Sequence, residues 1–153
     1  MINLNVFSEE KAWSKKLKKK DFFFKSICDA FPKKYKFLNK KISLSLLLSN
    51  NKKIKILNKK FRKKNKSTDI LSFPFHNKKN LKDKLKKDKE IYLGDIIINL
   101  NKIKNRHDKK KFKIEFNKLW IHGLVHLFGH DHKKDKDFNT MQKIEKKFLF
   151  YID

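Results

Sequence analysis

One cysteine, Cys28, in 153 residues excludes both a disulfide framework and a cysteine-rich zinc module. No apolar run approaches the length of a membrane span, and residues 1–15 carry acids where a signal peptide would carry its apolar centre. A reducing, cytoplasmic setting is the expectation, with no membrane partner. Arginine is nearly missing too: of 42 basic side chains only Arg62 and Arg106 are arginine. Alanine, glycine and proline are scarce while Lys, Asn, Phe and Ile abound, as A+T-rich coding would produce. The formal net charge of +26 attracts polyanions, nucleic acid first among them. Codon drift on a solvated surface accounts for part of that lysine, so the charge permits RNA binding without proving it. The length suits one domain, residues 1–153, with enough material for a core.

Four of the six histidines fall in eleven residues, His122-Gly123-Leu124-Val125-His126-Leu127-Phe128-Gly129-His130-Asp131-His132. On a helix, His122 and His126 leave the same face one turn apart. Gly129 ends that helix, since glycine accepts the left-handed conformation a C-terminal cap needs. The chain can then bring His132 back toward the first two. Three neutral imidazoles at one point make a metal site with room left for water. The spacing is that of the metzincin proteases, except that Gly123 stands where they carry a catalytic glutamate. A metal enzyme is expected, and not an ordinary metallopeptidase.

The remaining pattern predicts an α/β layer: a small mixed sheet of about four strands covered by helices, with the histidine helix packed on the sheet. Ser8-Glu9-Glu10 reads as a helix start. Residues 22–31 read as a helix with Phe23, Ile27 and Phe31 on one face, and Pro32 beyond its end. Ile42 to Leu46 alternates as a strand. Asn50 and Asn51 cap a helix carrying Ile54, Leu57 and Phe61. Ile70 to Phe73 is a strand limited by Pro74. The lysine-laden stretch 76–90 reads as a mobile loop. Ile91 to Ile98 reads as a central strand, buried on both faces and interrupted at Gly94-Asp95. Residues 99–107 suit a helix, and 111–128 the histidine helix. A last helix presents Met141, Ile144 and Phe148.

Arg62 is retained in a lysine-rich chain, which suggests that the planar fork of a guanidinium matters there. Residues 57–62 and 67–74, Leu93-Gly94-Asp95-Ile96, and the histidine block followed by Asp135, Met141 and Glu145 resemble the YbeY family. These are bacterial rRNA maturation factors and metal-dependent endoribonucleases; the resemblance spans roughly residues 41–150, with 1–40 matching only loosely as an N-terminal helix. It implies a small mixed sheet with surrounding helices, and metal ligation by His122, His126 and His132. A single Zn2+ is the expected ion, from its imidazole ligands. It also implies catalytic roles for Arg62 and His122. The implied activity is cleavage of single-stranded RNA in maturation of the 3′ end of small-subunit rRNA and in ribosome biogenesis. Implied partners are rRNA and the small ribosomal subunit, with a ribosomal protein or assembly GTPase as further candidates and no DNA. His130 stands where the family usually has tyrosine and reads as a supporting residue; Asp131 and Asp95 are candidates to orient ligand rings. Two rivals stay open: a non-catalytic assembly factor with a structural metal site, for which His130 would be the fourth ligand, and a zincin peptidase, which Gly123 opposes.

Overall fold

The computed structural model describes residues 1–8 and 11–153. Strands β1 (Ile2–Ser8), β2 (Lys41–Ser49), β3 (Ile70–Pro74) and β4 (Glu90–Asn99) form one open sheet in the order β1-β2-β4-β3. The first two junctions are parallel; β3 pairs antiparallel with β4 and forms an edge. The helices are α1 (Lys11–Lys16), α2 (Lys20–Asp29), α3 (Asn51–Arg62), α4 (Lys78–Lys87), α5 (Lys109–Leu127) and α6 (Asp135–Ile152). The expected mixed α/β architecture is present.

β4 is central, as its continuous apolarity requires. It carries one residue more than β2 between the pairs Ser43–Tyr92 and Ser45–Asp95, a bulge at Leu93-Gly94. The extra residue changes the phase of alternation. Ile91 and Leu93 before the bulge, and Ile96 and Ile98 after it, all face the main core. Asp95 and Ile97 turn to the opposite face, where Ile97 packs with Ile54 and Leu71 beneath α3. The interruption at Gly94-Asp95 is therefore a bulge within one strand.

The main core lies between the sheet and α5. Trp13, Phe24, Phe112, Phe116 and Trp120 meet there in mostly edge-on pairs, with centroids 5.7–6.3 Å apart. Both indole N–H groups are satisfied, Trp13 on the Ser49 carbonyl at 2.9 Å and Trp120 on Asn117 Oδ1 at 3.1 Å. At Gly123, α5 lies against the sheet with no room for a side chain. A Cβ there would lie 2.9 Å from Ile70 Cδ1 and 3.1 Å from Ile96 Cγ2 and Ser72 Oγ.

Three sequence expectations change, and a fourth falls outside the described residues. β1 was not anticipated, although Ile2, Leu4 and Val6 alternate with polar residues. The helix start at Ser8–Glu10 rests on Glu9 and Glu10, outside the described residues; Ser8 itself ends β1. The stretch 76–90 is not a mobile loop but holds α4, capped by Asn77, whose side chain accepts from the Asn80 N–H, and anchored by fully buried Leu81. Residues 99–107 hold no α-helix: Asn99 ends β4, Leu100–Lys102 form a 3₁₀ turn, and a further turn spans 104–107. Asn99 is instead a buried hub. Its amide donates to Asn51 Oδ1, Ser67 Oγ and the Thr68 carbonyl, and its own Oδ1 accepts from the Asn101 N–H.

Candidate metal centre and its cleft

α5 places His122 and His126 on one stripe, neighbouring the one that packs on the sheet. The C-cap is Phe128, and Gly129 follows at φ +93°, the left-handed region that turns the chain. A ligand nitrogen from each of His122, His126 and His132 then lies within 4.8 Å of the others. His122 and His126 are half-buried and His132 is exposed, so the cluster opens to solvent on one side.

The partners of the outer nitrogens fix the tautomers. His122 Nδ1 is 2.6 Å from Glu145 Oε1, and His126 Nδ1 is 2.9 Å from the His130 carbonyl. Carboxylate and carbonyl oxygens only accept, so each Nδ1 carries its ring's proton in the neutral imidazole. The two Nε2 atoms, 3.2 Å apart, then face each other as bare lone pairs. Two nitrogens each about 2.05 Å from a tetrahedral ion would stand about 3.3 Å apart. Donor chemistry and spacing both fit a divalent cation. Burial, with His122 beside it, lowers the pKa of His126 and keeps that ring a neutral donor.

His130 does not join the ligand group. Its carbonyl orients His126, while its half-buried ring has its pKa lowered by burial and by Lys78 and Lys34. Asp131 and Asp95 do not orient ligand rings. Asp131 Oδ1 accepts the backbone N–H of His132 at 2.7 Å, and Asp95 accepts from the Tyr92 hydroxyl. Glu145 does that work for His122, from α6. Its sequence neighbourhood shows only core spacing, Met141 and Phe148 being buried on the same helix.

The three histidines line one wall of a cleft of about 770 Å³, and Arg62 lines it as well. Arg62 is the last residue of α3; Lys63 follows in the left-handed conformation and closes the helix. The guanidinium donates to the Ser72 carbonyl at 2.8 Å and stacks over Phe73, 5.4 Å from the ring centroid. Behind it, Asn58 donates to the Lys66 carbonyl and Asn99 holds Ser67 and Thr68, so the loop between α3 and β3 is tied down. Lys64, Lys78 and Lys133 also border the cleft, with Asp69 and Asp131 as its acids.

The family model for endoribonuclease YbeY matches residues 6–153. The chain belongs to the YbeY family. A Pelagibacter ubique protein named endoribonuclease YbeY is 55% identical over 148 residues, covering 95% of this chain and 92% of its own. The YbeY of Ehrlichia canis is 35% identical over 151 residues, covering 97% and 91%. The solution structure of TM1509 from Thermotoga maritima superposes with a TM-score of 0.61 at 25% identity, covering 98% of this chain and 89% of that one. The YbeY match extends through residues 6–40, where sequence reading found only a loose likeness. No helix among the described residues is long and apolar enough to cross a membrane.

Proposed function

We propose that this chain is a cytoplasmic, metal-dependent endoribonuclease that cuts single-stranded RNA and matures the 3′ end of small-subunit rRNA. The observation that carries the reading is the shared cleft, with a three-histidine group on one wall and a fixed arginine beside it. The names of the YbeY relatives supply the reaction class.

His122, His126 and His132 would hold the ion, zinc being the choice that three imidazoles favour. A divalent ion bound there supplies Lewis acidity, withdrawing charge from a phosphoryl oxygen and making a water more acidic. The protein does the rest. Glu145 and the His130 carbonyl keep each Nδ1 protonated and so aim each Nε2 at the site. Arg62 spends one of its five N–H donors on Ser72, which leaves others to grip two phosphate oxygens and to stabilise the extra negative charge of the transition state. Lys64, Lys78 and Lys133 attract the RNA backbone without reading its bases. Gly123 brings no carboxylate, which separates this site from a peptidase of the same ligand spacing.

A structural site closes with four protein ligands. Here the group has three among the described residues, which supports the catalytic reading over the structural one. The test is His126→Ala, checked for an intact fold and assayed on single-stranded RNA before and after chelation, beside elemental analysis of the parent. Loss of metal-dependent cleavage is expected. A variant cutting as fast as the parent sinks the mechanism. Co-sedimentation with small ribosomal subunits tests the proposed partner.

A further inference from the structure

The sheet has two faces, and α3 covers only part of the second. Register places the residues of that face in rows. Phe7, Leu47, Ile97 and Leu71 form one row; Asn5, Ser45, Asp95 and Phe73 the next; Asn3, Ser43 and Tyr92 a third. α3 lays Ile54 over Leu71 and Ile97. Beyond its edge an apolar groove of about 490 Å³ stays open between Phe7, Leu47, Leu57, Phe61 and Phe73, with Ser45 and Asp95 at its polar end. Phe7 and Phe61 are 57% and 59% exposed.

We propose that this groove binds the bases of the single-stranded RNA that runs on from the cleft, stacking them on Phe61 and Phe7. The inference rests on the ribonuclease reading given above. Continuity with the cleft supports it. Along β3, Ile70, Ser72 and Pro74 line the cleft while Phe73 points into the groove, so one edge strand separates the two. Arg62 bridges them, lining the cleft and stacking on Phe73, and Phe61 packs edge-on against the same ring at 5.5 Å.

Charge supports it as well. Lys60 lies 5.3 Å from the centroid of Phe61, so each of the two phenylalanines next to Arg62 has a cation at its ring. Exposed rings bordered by cations suit single strands, because every base offers a π-face and every linkage a negative charge. At the polar end the Tyr92 hydroxyl bridges Ser45 and Asp95. A carboxylate there repels phosphate and accepts N–H groups from base edges, the uracil N3–H among them, so bases face this wall and the backbone faces outward.

The test uses the full-length, metal-loaded protein and a short oligouridylate with 2′-O-methyl riboses and phosphorothioate linkages, which resist cleavage, against an abasic oligomer of the same backbone and charge at equal salt. Phe61→Ala and Phe7→Ala should each weaken oligouridylate binding about tenfold and leave abasic binding unchanged. Phe22→Ala, exposed on α2 and outside the groove, should change neither. Trp13 and Trp120 are fully buried. The indole introduced by Phe61→Trp is therefore the exposed reporter, and its emission should be quenched by oligouridylate and not by the abasic oligomer. Parental affinity in both alanine variants, or unquenched emission, overturns the assignment. So does a shift in association state with RNA affinity unchanged, which would give the groove to a second copy of the chain. If the parent cuts RNA while the groove variants bind normally, only the groove assignment fails. If the parent neither binds nor cuts RNA, the ribonuclease reading fails with it.

Discussion

A carboxylate oxygen of Glu145 on α6 stands 2.6 Å from Nδ1 of His122 on α5, joining two helices at the back of the histidine cluster. The contact orders the imidazole and makes its inner nitrogen a better donor. Removing it with Glu145→Ala should lower affinity for a divalent ion by about 10- to 100-fold. Competition against a chromophoric chelator measures this directly. Unchanged affinity would reduce the pair to a packing contact.

Arg62 combines a bond to Ser72 with stacking on Phe73. Only a planar fork does both while still presenting donors to phosphate. Arg62→Lys should therefore behave much like Arg62→Ala, each lowering kcat for RNA cleavage by about 10²- to 10³-fold, with metal content unchanged. Full activity in the lysine variant would show that charge alone suffices.

Gly123 has Ile70, Ile96 and Ser72 within 3.1 Å of where a Cβ would lie. Gly123→Glu, the change that would restore a metzincin pattern, forces a carboxylate into that contact. It should cost about 3 kcal/mol or more, from overpacking and burial of charge, and yield no peptidase activity. Denaturant unfolding and a casein digest provide the two readouts. A stable variant that digests casein would mean the helix can lift from the sheet.

Burial, with Asp29 beside it, pushes the Cys28 thiol up to about 12 from an ordinary value near 9. The thiolate is the nucleophile, so the reactive fraction falls with each unit by which the pKa rises above the pH. At mildly alkaline pH the folded protein should be alkylated at least about tenfold more slowly than the denatured chain, the loss of thiolate being offset in part by its greater intrinsic nucleophilicity. Equal rates in the two states would contradict the burial.

What was legible in the chain was local. His122, His126 and Gly129 state a helix face and its end within eight residues, and Asn50 caps α3 by accepting from the Lys53 N–H at 2.9 Å. α4 carries little sequence signal because Leu81 and Leu85 are its two apolar residues amid lysines, yet one buried leucine and an asparagine cap hold it. β1 alternates openly at Ile2, Leu4 and Val6, but three apolar positions are a weak strand signal beside the helix pattern that starts at Ser8. The rest was non-local. Asn99 meets Asn51, Ser67 and Thr68, and Glu145 meets His122 from 23 positions away. No periodicity encodes partners that only the completed fold brings together.

The bulge in β4 makes strand length a looser requirement than residue size at one position. Deleting Gly94 would leave Ile91, Leu93, Ile96 and Ile98 in strict alternation toward the core, with Asp95 and Ile97 still turned the other way. Replacing it is the harder change, since Gly94 stands at φ +138° and any Cβ there would run into the Phe73 carbonyl of the neighbouring strand.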